Sequence, residues 1–122
     1  RDHYRYVPDD VCNAERVGEG SVIMNKHDTI IDLVATHRGI SWLDMKGHCR
    51  KRQFVRARQL AMWLIRMTSS DSYPHIGESF QGRDHTTVMH AIRVVDGLVV
   101  TSPEWRMEAQ MLLAKLQRKA AA

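Results

Sequence analysis

The segment 82–93, which reads GRDHTTVMHAIR, carries the clearest chemical signal in the chain. Short hydrogen-bonding side chains begin a stretch in which apolar residues recur at helical spacing. A helix that reads DNA in the major groove needs this division, because its first residues face the base edges while an apolar stripe anchors it. The stripe consists of Val88, Ile92, Val95 and Val99, and Thr86, Thr87 and His90 lie off it. The pattern predicts the reading helix of a helix-turn-helix.

A second signal is a local run of positive charge before the longest helical pattern. The run contains no acidic residue and six basic ones: Lys46, Arg50, Lys51, Arg52, Arg56 and Arg58. The net charge of the whole chain is +4, so the residues outside the run have a net charge of −2. Cations at a helix N-terminus oppose the helix dipole, at a cost of ~0.3–1 kcal/mol each. Phosphate attraction would offset that cost. The run therefore indicates a surface that faces nucleic acid.

The elements that must position these residues are all helical, and the sequence offers no strand candidate. Capping residues, glycines and apolar periodicity predict helices from Asp28 as N-cap to Gly39, over 41–46, over 53–68, over 73–80, from Asp84 to about Val100, and from Ser102 onward. Residues 81–83 form the turn of the helix-turn-helix, and Gly97 weakens the reading helix. We predict an all-α compact domain of about six helices over 28–119, after an N-terminal arm (1–27) and before a short tail (120–122).

Three motifs in order, RKRQFVRARQLAMWLIR, SYPHIGESFQGRDHTT and the signature GRDHTTVMHAIR, resemble the C-terminal DNA-binding domain of the DnaA replication initiators. The resemblance runs from Asp28 to Lys119. It implies a fold similar to DnaA domain IV and the Trp repressor. Since this chain has no nucleotide-binding loop of the form G-x-x-x-x-G-K-[ST], we expect a stand-alone DnaA-like protein without the ATPase.

The resemblance also implies a set of DNA contacts. Asp84, His85 and Thr86 would reach base edges or thymine methyls, and Thr87 and His90 would hold flanking phosphates. In the family, an Arg of the basic loop enters the minor groove, and it aligns with Arg50. The remaining expected contacts are with phosphates or the edge of the site: Lys51, Arg52, Arg56, Arg58, Gln59, Pro74, Arg83 and Arg93.

Departures from the family pattern concern the turn and the basic loop. Gln81 replaces the first of two usual glycines, His75 replaces a common Glu, and His48 and Cys49 stand among otherwise basic or polar loop positions. Simpler explanations stay open as well. Asp84 is explained by helix capping alone, and residues 85–87 could be a solvated first turn.

Other chemistries are not indicated. His85 and His90 are five residues apart and do not share a helix face, so we expect no metal, and no nucleophile–base pair suggests an enzyme or a cofactor. No apolar run reaches the ~20 residues of a membrane span. Cys12 and Cys49 have no spacing typical of zinc or of a disulfide framework. We expect a cytoplasmic, nucleoid-associated protein without a small-molecule substrate.

Several roles fit a DNA reader of this kind. The favoured one is a transcription regulator, a possible phage product, that works with RNA polymerase or a sigma-like subunit through the N-terminal arm, Trp63 or the last helix. The alternatives are a replication modulator that competes for DnaA boxes, an adaptor with a vestigial DNA face, and a DNA-binding domain excised from an initiator.

Overall fold

The described residues form six helices, as expected for an all-α domain. The computed structural model describes the backbone of residues 25–121 and the side chains of residues 25–118, so residues 1–24 of the expected arm lie outside the described part. The helices are α1 (Lys26–Arg38), α2 (Trp42–Lys46), α3 (Arg52–Thr68), α4 (Tyr73–Glu78), α5 (His85–Thr101) and α6 (Pro103–Ala121). Within residues 25–121 there is no strand.

The helix boundaries follow the capping residues, with one correction at the first helix. Asn25 is the N-cap of α1, and its side chain accepts a hydrogen bond from the backbone N–H of Asp28. The prediction that Asp28 is the cap is therefore wrong, because Asp28 lies inside the first turn and its carboxylate pairs with Lys46 at 3.3 Å. At the reading helix, Asp84 is the N-cap as predicted. The helix α5 continues through Gly97 without a break.

Helix α3 is the centre of the core. Its apolar face is fully buried through Leu60, Ala61, Leu64 and Ile65, and α1, α5 and α6 pack around it. The side chain of Trp63 is only 5% exposed, and its indole N–H donates to Asp96 of α5 at 2.8 Å. A residue so placed supports α5, so Trp63 is not the exposed partner surface that the sequence suggested.

The helix-turn-helix consists of α4, the turn and α5, and it depends on a close approach at Gly77. The carbonyl oxygen of Gly77 accepts hydrogen bonds from the backbone N–H groups of Phe80 and Arg83, both at 3.0 Å. A Cβ atom at Gly77 would overlap the carbonyl oxygen of Arg83. Gln81 and Gly82 follow with φ values of 65° and 74°. Gln81 therefore adopts the left-handed conformation that a glycine would adopt with less strain.

Two further observations bear on the sequence predictions. Cys49 is disulfide-bonded, contrary to the expectation from its spacing, and Cys12 lies outside the described residues. Each helix in the described part of the chain is too short or too polar to cross a lipid bilayer.

The two helical glycines provide a matched test of the turn. We expect Gly77→Ala to lower the free energy of unfolding by about 3 kcal/mol, because the added methyl group must displace backbone. Gly97→Ala should instead raise it by about 1 kcal/mol, since a Cβ there meets no atom within 4 Å and Ala favours the helix. Urea unfolding followed by circular dichroism measures both. Equal stabilities for the two variants would contradict the role of Gly77.

Candidate nucleic-acid interface

The N-terminal turn of α5 presents the polar side chains that the sequence singled out. Asp84, His85, Thr86, Thr87 and His90 are all exposed. The carboxylate of Asp84 accepts hydrogen bonds from the backbone N–H of Thr86, at 3.3 Å, and from its hydroxyl group. These bonds lower the pKa of Asp84, the side-chain bond most of all. The capped turn thus holds its donors and acceptors outward, as reading of base edges requires.

A hollow of about 550 Å³ separates this turn from the basic loop, which we define as residues 47–51. Its lining comes from the loop, from α3, from Arg83 in the turn and from α5, and six of the expected DNA-binding residues meet there: Arg50, Arg58, Gln59, Arg83, Thr87 and His90. The other lining residues are His48, Val55, Met62 and Ala91. The hollow is therefore lined by cationic, polar and apolar side chains and by no acidic one.

Arg58 lies at the floor of the hollow and is only 4% exposed. Its guanidinium group donates to the carbonyl oxygen of Asp44 through Nη2 at 2.9 Å and to that of Met45 through Nε at 3.1 Å. Burial, followed by the nearby charge of Arg83, lowers the pKa of Arg58 to about 10, against an opposing effect of Asp44. Arg58 stays charged at neutral pH, but its N–H groups mainly hold the C-terminal end of α2.

Arg83 connects the turn of the helix-turn-helix to the basic loop. Its Nη2 group donates to the carbonyl oxygen of Gly47, and burial lowers the pKa of the guanidinium group. Its buried Nε atom has no hydrogen-bond partner among the described residues. One side chain thus fixes the distance between the two surfaces that flank the hollow.

His48 also lines the hollow, although the sequence analysis identified it only as a departure from the family pattern. Burial and the charges of Arg83 and Arg58 lower the pKa of the His48 imidazole. These effects favour the uncharged form of the ring, and the cationic character of the hollow comes from its arginines.

The other expected DNA-binding residues lie outside the hollow. Arg52, Pro74 and Arg93 are exposed on α3, α4 and α5. Lys51 lies with its Nζ atom 5.7 Å from the centre of the Phe54 ring, and Arg56 donates to the side-chain oxygen of Gln59 at 2.8 Å. The sequence analysis did not identify Gly47, because its role depends on a main-chain carbonyl group that accepts a hydrogen bond from Arg83.

Comparison with known proteins decides the family. The family described as the bacterial dnaA protein helix-turn-helix matches residues 27–95, more than half of the chain, including the turn and the first part of α5. The chain belongs to the DnaA family. The resemblance drawn from the three motifs is thereby confirmed, together with the helix-turn-helix fold and its DNA-binding character.

Several DnaA replication initiators are similar to this chain, and the similarity covers most of this chain. The chromosomal replication initiator protein DnaA of Dechloromonas aromatica is 40% identical over 98 residues, which cover 80% of this chain and 21% of that protein. Its counterpart in Neisseria meningitidis serogroup B is 44% identical over 101 residues, covering 79% and 20%. That of Agrobacterium fabrum is 36% identical over 96 residues. The chain spans about a fifth of the length of these DnaA relatives.

The DnaA-like site offers a direct test of the role of Arg58. We expect Arg58→Met to lower the free energy of unfolding by about 2 kcal/mol, because the buried carbonyl groups of Asp44 and Met45 lose their donor. Arg52→Met is the matched control, since Arg52 is exposed and should change stability by less than about 0.5 kcal/mol. Chemical denaturation without DNA measures both, and an unchanged Arg58→Met midpoint would contradict the anchoring role of Arg58.

Proposed function

We propose that the chain binds double-stranded DNA at a site resembling a DnaA box. The N-terminal turn of α5 would enter the major groove, and the basic loop would place Arg50 in the adjacent minor groove. The observation that carries the proposal is the hollow, because it separates an exposed polar helix start from an exposed arginine and is lined between them by cationic and polar groups. The DNA phosphate backbone that lies between the major and the minor groove would fit in such a channel.

The electrostatics of the hollow support this placement. Arg58 and Arg83 are partly or fully buried and have no carboxylate side chain among the hollow's lining residues. Field lines from charges in a low-dielectric cleft are concentrated towards its opening. A phosphate group at this opening would be attracted by the arginine charges, and Gln59, Thr87 and His90 can add hydrogen bonds to it.

The biological role of this binding is a further part of the proposal. A transcription regulator would use the DNA-reading surface to locate promoters and would act through a partner such as RNA polymerase. A replication role is the second candidate, favoured by the fact that the similar proteins are named chromosomal replication initiators. A DNA-binding domain excised from such an initiator is compatible with the same surface.

Occupancy in the cell distinguishes these roles. Genome-wide mapping of the tagged protein should yield peaks that contain a DnaA-box-like motif. Peaks at promoters would support transcription regulation, whereas peaks concentrated at the replication origin would support the replication role. Peaks without a common motif would contradict sequence-specific binding itself.

Base reading by α5 predicts a loss of discrimination in Thr86→Ala. The variant should lose about 1–3 kcal/mol of preference for a DnaA-box duplex over a scrambled duplex, because it loses a methyl and a hydroxyl group at the helix start. Fluorescence anisotropy with the two duplexes measures the preference. Parental discrimination in a folded Thr86→Ala variant would show that Thr86 does not read bases.

Lys51→Ala is the matched control for phosphate attraction. It should weaken binding to both duplexes alike and reduce the slope of log K against log salt by about 0.9. The same titrations repeated at several salt concentrations give that slope. A loss confined to the DnaA-box duplex would contradict a general phosphate contact for Lys51.

A further inference from the structure

A cluster of three metal-ligating side chains lies outside the proposed DNA-binding site. His27 comes from the first turn of α1, Asp71 from the connection between α3 and α4, and His75 from α4. One potential ligand atom from each residue lies within 4.8 Å of the other two. Nothing in the proposed DNA contacts uses these three groups together, and none of them lines the hollow.

The surroundings of the cluster hold its buried histidine in one orientation. The His27 side chain is 4% exposed, and its Nδ1 atom lies 2.7 Å from the hydroxyl group of Ser79. Its Nε2 atom faces the Asp71 carboxylate at 2.5 Å. Histidines that bind metals commonly make a hydrogen bond through the other ring nitrogen, which fixes the ring. The Ser79 hydroxyl group can do this for His27.

The other two members are also placed by neighbours. The Asp71 backbone is held by the Ser69 hydroxyl group at its N–H, at 3.3 Å, and by Arg66 at its carbonyl group, at 2.7 Å. The His75 ring lies 4.8 Å from the His27 ring, centre to centre, in an edge-to-face arrangement of 79°. His75 is exposed, so the cluster opens to solvent on that side.

We propose that His27, Asp71 and His75 bind a divalent transition metal ion, with Zn²⁺ as the best match. Two imidazoles and one carboxylate are a ligand set typical of a tetrahedral zinc site whose fourth position is open to water. Ca²⁺ and Mg²⁺ fit less well, because both prefer oxygen ligands alone. The ion would lie between Nε2 of His27 and the Asp71 carboxylate, in place of their hydrogen bond.

Binding at this position would link two parts of the fold. His75 belongs to the first helix of the helix-turn-helix, and His27 belongs to α1, which packs on the central helix α3. A bound ion would therefore join the DNA-reading motif to the core at a point outside the hollow. The expected consequence is a more stable domain with α4 held more firmly.

The test uses the untagged full chain after removal of metal with a chelator. Titration calorimetry with ZnCl₂ should show one ion per chain, and Co²⁺ should give the intense visible absorption of a tetrahedral site. His75→Ala should weaken Zn²⁺ binding by about 100-fold or more, because it removes one ligand. Since His75 is exposed, this variant should fold normally.

Two additional variants make the outcome specific to the cluster. Asp71→Asn keeps an acceptor for His27 but loses the charge, and we expect at least a tenfold weaker affinity. His37→Ala is the control, since His37 lies at the other end of α1 against Glu108 and should bind Zn²⁺ like the parent. Zn²⁺ in excess should raise Tm of the parent and of His37→Ala by about 4 °C or more, and not that of His75→Ala.

The proposal is overturned by either of two results. One is the lack of stoichiometric Zn²⁺ binding by the parent chain at 100-fold excess of the ion over protein. The other is equal affinity of His75→Ala and His37→Ala, which would place the bound ion on other residues.

Discussion

The anchoring of the Arg58 and Arg83 guanidinium groups to main-chain carbonyls is the constraint on which the proposed DNA-binding surface depends. Arg58 binds the end of α2, and Arg83 binds Gly47 at the start of the basic loop. Burial lowers the pKa of both groups, and the charge of Arg83 lowers that of Arg58 further. The domain accepts this electrostatic cost without DNA because carbonyl dipoles compensate part of it. The Asp44 carboxylate, which raises the pKa of Arg58, compensates a further part of the cost.

Some parts of this fold could be predicted from the sequence and others could not. Long helices such as α3 and α5 show several turns of apolar periodicity, so their type and approximate extent follow from the residue pattern. The start of α1 could not be predicted in this way, because Asn25 and Asp28 are both good capping residues and the pattern does not distinguish between them. Tertiary packing also decided the position of Trp63, whose indole N–H donates to Asp96 in another helix.

Within the candidate site, exposed side chains were predictable and anchoring ones were not. Thr86, Thr87 and His90 lie off the apolar stripe of α5, and exposure follows from that geometry alone. The resemblance to the DnaA family assigned Arg58 to phosphate contact. Its acceptors within the fold are carbonyl groups 13 and 14 residues away, which residue types do not reveal. The cluster at His27 was equally hidden, since its hydrogen-bonded pair is separated by 44 residues.

The turn of the helix-turn-helix shows how these local and distant effects combine. Gln81 adopts a left-handed conformation that costs about 1–2 kcal/mol for a residue with a side chain. The turn keeps this conformation because the carbonyl group of Gly77 accepts a hydrogen bond from the backbone N–H of Arg83, and the carbonyl oxygen of Arg83 lies so close to Gly77 that a Cβ atom has no space. That contact directs the Arg83 side chain to Gly47. The spacing between the reading helix and the basic loop therefore depends on the backbone of the turn, although no residue of α4 lines the hollow.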